Sequence, residues 1–307
     1  MKYSLVQQSD LIDVPGTSFF FNTPSFLQTI SGKRISLYLK NIKTNQVAGE
    51  VHFFQEGVCA YSPLKGSFGS FHFSEKLKAA DVVFFVTETE RFLKKEGVEK
   101  VFLRGCPYAY APYAAQLLTA VLLAEKYSLL YTDLNYHLDL SLDISSNLRE
   151  SEPERIKAAI KAGMVFSRWE DPDLEKVYAI LKVCRDQKNY PLTLSLDAFA
   201  AMFATFPTVY SVFKIEYHRE IIAVAVTIHI NTDILYNFYV GELPAYRKMS
   251  PTALLIKEMA EFARQSGYKL FDLGIGSDKG ILNPGLVNFK ENMGGIPSLK
   301  PAFEKLL

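Results

Sequence analysis

Residues 221–230, I-I-A-V-A-V-T-I-H-I, constrain the fold more than any other stretch of this chain. A β-branched and almost unbroken apolar run of this length is the signature of a strand covered on both faces. It is well short of the roughly 18 to 20 residues that a membrane-spanning helix needs. Polar turns flank it at His218-Arg219 and at 231–233. Three consecutive strands are therefore predicted at 209–217, 220–229 and 234–241. Helical spacing predicts helices at 172–185 and 196–206 before them, and a further helix at 251–265 after them. In that last helix Leu255, Met259 and Phe262 fall on one face, Ser250 stands as N-cap, Pro251 follows, and Gly267 ends it.

The next stretch, 268–297, concentrates unusual local chemistry. It reads as a short buried strand at 269–273, a polar glycine-rich loop at 275–284, and a short helix. Asn283 is the expected N-cap of that helix and Pro284 its first residue, with Gly294 and Gly295 as the stop. A strand end, a glycine loop and a helix N-terminus in sequence form a common ligand-binding arrangement in α/β folds. The same pattern also suits a tight connection with nothing bound.

The first half reads as mixed α/β. An aromatic extended segment and a helix with Pro24 at its first position occupy 17–30. Strands at 35–39 and 46–54 form a hairpin around 43–45. A glycine-punctuated loop follows at 61–71, then an amphipathic helix at 73–96, a strand at 98–103, and a tyrosine and proline loop at 104–112. A helix at 112–126 and one or two strands at 127–142 complete it. The polar stretch 141–154 reads as the junction between halves, which sets the expected domains at 1–145 and 146–307.

The 307 residues suit two domains, and 49% hydrophobic with 22% charged residues gives a folded chain with a substantial core. A net charge of +1 supplies no bulk attraction for nucleic acid or an anionic membrane. Cys59, Cys106 and Cys184 lie far apart, which argues against a disulfide scaffold or a zinc site and for a reducing cytoplasm. The first ten residues carry no apolar signal-peptide core, so the expectation is a soluble cytoplasmic protein without a transmembrane segment.

The element order of the second half resembles the acetyltransferase fold known as GNAT, and more closely its branch related to the Fem aminoacyl and acyl transferases. The residues that carry the resemblance are G-x-x-x-F-D-L-G at 267–274 and G-L-x-x-F-K-x-x-x-G-G at 285–295. In the first half they are F-F-N-T-P-S-F-L at 20–27, Y-S-P-L-K-G-S-F-G at 61–69, and the linker helix at 154–163. The resemblance implies two tandem GNAT-like domains of the α/β (α+β) class. Each would be a mixed, largely antiparallel sheet flanked by helices, with catalysis in the second.

The implied activity is transfer of an acyl or aminoacyl group to an amine. The co-substrate would be an acyl-CoA or an aminoacyl donor, with no metal. The acceptor would be a small molecule or a peptidoglycan-precursor-like amine. Use of aminoacyl-tRNA is disfavoured by the near-neutral charge and by the lack of a long charged coiled-coil insertion. The alternative is a non-catalytic descendant that binds a small molecule or a protein.

Such chemistry needs a proton acceptor, donors for an oxyanion, and two substrates held in line. Lys290, in the F-K segment, is the expected reaction-centre residue. Asp272 is expected to cap the following loop or orient a partner, and Tyr239 to hydrogen-bond the acyl carbonyl or the acceptor. The glycine-rich pyrophosphate loop usual in acetyl-CoA enzymes is replaced by Y-R-K-M-S-P-T-A at 246–253. Arg247, Lys248 and Ser250 are therefore the candidate donor-anion contacts, ahead of a helix N-terminus. Asp278, Lys279, Asn283, Lys65 and Tyr108 are candidate substrate contacts. His229 reads as a core histidine, and Arg155, Lys157 and Lys161 as a solvated helix face.

Overall fold

The computed structural model of the chain describes residues 2–8, 10, 19–149, 151–187 and 192–307. In chain order the first elements are β1 (Tyr3–Gln7), α1 (Pro24–Leu27), β2 (Lys33–Asn41), β3 (Val47–Glu56), β4 (Cys59–Ser62) and β5 (His72–Phe73). They are followed by α2 (Ala79–Lys95), β6 (Lys100–Arg104), α3 (Pro112–Ala124) and β7 (Ser128–Asp139). Then come α4 (Ile144–Asn147), α5 (Glu152–Lys161), β8 (Val165–Arg168), α6 (Leu174–Asp186), α7 (Leu196–Thr205), β9 (Tyr210–Tyr217), β10 (Glu220–His229) and β11 (Ile234–Glu242). The chain closes with α8 (Pro251–Gln265), β12 (Leu270–Ile275), β13 (Ser277–Asp278), β14 (Ile281–Leu282), α9 (Pro284–Asn292) and β15 (Ile296–Leu306). Residues 17 and 18 of the expected aromatic segment lie outside the described residues. Among the described residues no helix is long and apolar enough to cross a membrane.

Two compact units result: Met1–Leu134 with Asp278–Ile281 and Ser298–Leu307, and Asn135–Ser277 with Leu282–Pro297. In the first, strands run in the order β1-β2-β3-β4-β6-β15, with β4 and β6 parallel and the other pairs antiparallel. In the second the order is β8-β9-β10-β11-β12-β7, with β11 and β12 parallel and the rest antiparallel. The two units thus repeat one topology, in which three antiparallel pairs precede a single parallel pair and a final antiparallel one. The architecture is α/β with largely antiparallel sheets flanked by helices, as the sequence leads one to expect.

In the first unit the alternation of β2 and β3 sets one sheet face against α2. Ile35, Leu37, Leu39, Val51 and Phe53 point there and form one core with Val82, Phe85 and Val86. The opposite face of the same strands is also buried, and beside Tyr38 and Phe54 it carries a polar cluster. There Ser36 Oγ lies 3.0 Å from His52 Nδ1, and His52 Nε2 lies 3.4 Å from Glu50 Oε2. Glu50 is paired across the sheet with His72, whose Nε2–H donates to Gly69 O at 3.2 Å. Helix α2 begins at Ala79, later than the apolar spacing from 73 suggests, because β5 and a turn closed by Leu77 N–H to Ser74 O take the intervening residues.

In the second unit β10 is covered on both faces. Phe213, which neighbours Ala225 across the sheet, packs edge-on against Phe262 of α8, with ring centres 5.0 Å apart. On the other face Gly241, opposite Val224, sits against Leu181 and Cys184 of α6. A Cβ at Gly241 would come within 3.2 Å of both side chains, so helix and sheet approach closely only because the side chain is absent. Gly267, at φ +86°, ends α8 in the left-handed conformation expected of it. Ser250 departs from expectation. It adopts φ 56° and its side chain makes no capping bond, because a left-handed backbone aims Oγ away from the first helical N–H groups.

Candidate functional site

Strands β11 and β12 pair in parallel only over Ile234↔Leu270, Leu235↔Phe271 and Tyr236↔Asp272. Beyond Tyr236 and Asp272 they part. β11 continues against β10 and β12 continues against β7, which leaves a fork in the sheet. At the same level β11 carries a bulge, since Thr227 pairs with Asn237 but Val226 with Tyr239. Phe238 is the extra residue, and such a residue leaves main-chain groups outside the ladder. The amide oxygen Oδ1 of Asn237 is buried and has no hydrogen-bond partner. A fork and a bulge at one point expose backbone donors and acceptors inside an otherwise closed sheet, where a substrate can pair with them.

Lys290 reaches this fork from α9. Its side chain is 8% exposed, and Nζ donates to Leu273 O and to Ile275 O, each at 2.7 Å. Burial of the ammonium pulls its pKa down to about 7, partly countered by the charge of Asp272. A Cβ on Gly274, which has φ +80°, would stand 3.6 Å from Lys290 Nζ and 3.6 Å from Tyr236 Cε2. The lysine and the tyrosine therefore face one small space above Gly274.

Asp272 lies beneath them at 1% exposure. Its Oδ1 accepts from Gly274 N–H at 2.6 Å and from Asn135 Nδ2 at 2.8 Å, so it ties the end of β12 to β7. These two bonds place Asp272 at the turn after the strand, in contact with a side chain of β7. Tyr136 O–H donates to Glu291 Oε1 at 2.9 Å and fixes α9 over β7. The N-terminus of α9 is capped as expected, with Asn283 Oδ1 accepting from Leu286 N–H at 3.1 Å.

The other candidates are placed less uniformly. Tyr239 is buried, with its hydroxyl 2.7 Å from Thr193 Oγ1 and the Arg185 guanidinium 5.0 Å from its ring centre. Arg247 donates to Glu242 Oε1 at 3.2 Å and to Gln187 Oε1 at 3.3 Å. Glu242 Oε2 in turn accepts from Thr252 Oγ1, in the first turn of α8, at 2.6 Å. An internal carboxylate thus stands at the helix N-terminus where a donor phosphate was expected. Lys248 is exposed beside it.

In the first unit Asp278 and Lys279 are exposed, on the short β13–β14 hairpin that breaks the expected loop. Tyr108 hydroxyl bonds Thr119 Oγ1. Lys65 is exposed and lines a small cavity with Asn22, His52 and Ser62. His229 is a satisfied histidine as expected, 2.9 Å from Ser211 Oγ and 2.5 Å from Tyr268 hydroxyl, with burial lowering its pKa.

The structure therefore gathers Lys290 and Asp272 at the fork and leaves Tyr239 engaged with Thr193. Sequence reasoning missed Asn135, Glu291, Asn237 and Glu242. Only the last had a local signal, an acid at a strand end five residues before Arg247. A cavity of about 220 Å³ in the second unit, lined by residues including Leu138, Asp139, Ile144, Arg149, Gly294 and Ile296, involves none of the fork residues.

Comparison with known proteins agrees with this fold. Residues 154–290 match the acetyltransferase (GNAT) domain family. Among solved structures, FemX aligns with TM-score 0.73 at 12% identity, covering 95% of this chain and 93% of its own. A tandem GNAT protein from the clavulanic acid biosynthesis pathway aligns with TM-score 0.53 at 10% identity, covering 99% and 98%. The C-terminal domain of a putative lysylphosphatidylglycerol synthetase from Agrobacterium fabrum aligns with TM-score 0.56 at 12% identity, covering 84% and 81%. At these identities the likeness is one of fold. No curated protein is detectably similar in sequence.

Proposed function

We propose that the chain transfers an acyl or aminoacyl group to an amine at the fork between β11 and β12, since residues 154–290 match the acetyltransferase (GNAT) domain family and the fold is similar to those of FemX and a tandem GNAT protein. The observation that carries this reading is the buried Lys290 Nζ held at the point where the strands part and β11 bulges. The acyl carbonyl would enter the fork, with its oxygen toward main-chain N–H groups freed by the bulge. Donors already in place when charge develops are the usual source of oxyanion stabilisation.

Asp272 positions Gly274 and Asn135 and so keeps the floor of the fork rigid. Tyr239 supports the β11 side through Thr193. Arg247, Lys248 and Ser250 are the proposed contacts for a phosphorylated donor, an acyl-CoA or an aminoacyl nucleotide, which would displace Glu242 from Arg247. The acceptor is an amine on a small molecule or on a peptidoglycan-precursor-like peptide, with Asn283 as its proposed contact in the second unit.

The test is a mass-spectrometric screen of acetyl-, acyl- and aminoacyl-CoA thioesters and of aminoacylated tRNA against free amino acids and lysine-containing peptides. Formation of an N-acylated product, lost in Lys290→Met, is the expected result. Absence of transfer from every donor, combined with saturable binding of one of them, would instead identify a binding module.

A further inference from the structure

An amine nucleophile reaches the enzyme as an ammonium ion at neutral pH, and it cannot attack until it has lost a proton. The side chains at the fork offer few acceptors. Asp272 Oδ1 is already shared by two donors beneath Gly274. Tyr136 hydroxyl and Glu291 are bonded to each other, and burial with the Glu291 contact pushes the tyrosine up to about 12. His137, opposite Asp272 on β7, is half-buried and carries an unpartnered Nδ1, but it pairs with β12 before the fork opens.

Lys290 differs from all of these. Nζ donates to Leu273 O and Ile275 O, each at 2.7 Å, and its third position meets no hydrogen-bond partner among the described residues. As an ammonium ion, Nζ would hold a third N–H unsatisfied in a buried site, which is costly. As a neutral amine it satisfies both carbonyls with its two N–H groups and has a lone pair left over.

Resting on the transfer reading above, we propose that Lys290 Nζ is the proton acceptor for the attacking amine, its two N–H groups fixed by Leu273 O and Ile275 O so that its lone pair occupies the one open position at the fork. The charged and titratable groups facing it are Asp272 on β12 and Tyr236 on β11, with the Tyr136–Glu291 pair and His137 on the flank of β7. Among the described residues these groups include no lysine or arginine. The depressed lysine pKa agrees with this assignment.

The step balances as follows. Nζ takes one proton from the acceptor ammonium and becomes –NH3+. The free amine forms the C–N bond at the acyl carbon. The tetrahedral intermediate then expels the thiolate or alkoxide of the donor, which receives the second proton from the attacking nitrogen. Lys290 afterwards returns its proton to water.

The experiment has two arms on the full-length chain. Lysine 13Cε and 15Nζ NMR, with Lys290→Arg used to assign the signal, should show one lysine titrating near pH 7. A Lys290 resonance that remains an ammonium through pH 9 overturns the proposal whether or not a donor has been found. With a donor and acceptor from the screen, Lys290→Arg and the near-isosteric Lys290→Met, both with wild-type circular dichroism, should each lower kcat at least 100-fold. The acidic limb of the wild-type kcat profile should follow the NMR pKa. Arginine keeps the positive charge and cannot accept a proton at these pH values. Activity of Lys290→Arg within about threefold of wild type would show that charge alone suffices and overturn the proposal. A lysine that titrates near 7 in a chain that transfers nothing would count against the transfer reading and leave the lysine chemistry standing.

Discussion

Asp272 allows the hydrogen-bonding and charge contributions at the fork to be separated by two substitutions. Asp272→Ala removes the acceptor of both Gly274 N–H and Asn135 Nδ2, now bonded at 2.6 and 2.8 Å, and leaves two buried donors unsatisfied. Each such donor costs about 1–3 kcal/mol, so the loss is about 2–6 kcal/mol. In a unit of this size each kcal/mol corresponds to roughly 2–4 °C in Tm. A fall on the order of 10 °C is the expected outcome. Asp272→Asn retains an oxygen at the Oδ1 position that accepts from both partners, while it removes the charge and replaces Oδ2 by an amide NH2. Its cost should stay near 1 kcal/mol, of the size of one ordinary hydrogen bond.

The charge is read in a second assay. Asp272 raises the pKa of Lys290 against the effect of burial, so its neutralisation should move the lysine titration below about 7. Calorimetry on the two variants, with lysine NMR on Asp272→Asn, measures both effects. Equal losses of stability in the two variants would refute the hydrogen-bond account. An unmoved lysine titration in Asp272→Asn would refute the electrostatic one.

Three further outcomes are expected. Glu242→Gln removes the carboxylate that now holds Arg247, and affinity for a phosphorylated donor, measured by calorimetric titration, should rise about fivefold, as suits a half-exposed pair worth about 1 kcal/mol. The gain should shrink with added salt, and an unchanged affinity would remove Arg247 from the donor site. Gly295→Ala would bring a Cβ within 2.6 Å of Lys290 O, so it should cost about 1–3 kcal/mol in urea unfolding and lower transfer by displacing the lysine. Wild-type behaviour in both would mean that the α9 terminus tolerates the shift.

The third concerns pH. Burial lowers the pKa of His72 from 6.5 to about 4, so the folded first unit prefers the neutral imidazole. Its contribution is complete above pH 6.5 and is lost as pH falls from 6.5 toward 4. The linkage amounts to about 3 kcal/mol. In His72→Gln, urea midpoints between pH 7 and 4 should show a correspondingly shallower decline, and an unaltered slope would refute the assignment.

Much of the second unit could be read directly from side-chain patterns. The apolar run at 221–230 has no polar face to turn toward water, so it had to become a strand sandwiched between α6 and α8. Asn283 and Pro284 start α9, and Gly267 ends α8, through local backbone preferences that act within a few residues. Ser250 misled for a related reason. Serine favours the capping role, but the turn that precedes α8 places it in the left-handed region, which sequence alone does not disclose.

The sequence by itself determined the strand and helix order, the two-part α/β architecture, and the selection of Lys290 and Asp272 as residues of interest. The element order and architecture follow from periodicity and turn chemistry, which operate over short separations, and the selection of Lys290 and Asp272 from the resemblance carried by the G-x-x-x-F-D-L-G and F-K motifs. Tertiary structure alone decided the state and environment of the site. The register of β11 against β10 and β12 fixes where the sheet forks, Asn135 meets Asp272 across 137 residues of chain, and Glu242 settles at the start of α8. It is burial of Nζ against the end of β12, where Leu273 O and Ile275 O accept from it, and not the identity of lysine, that lowers the Lys290 pKa to about 7.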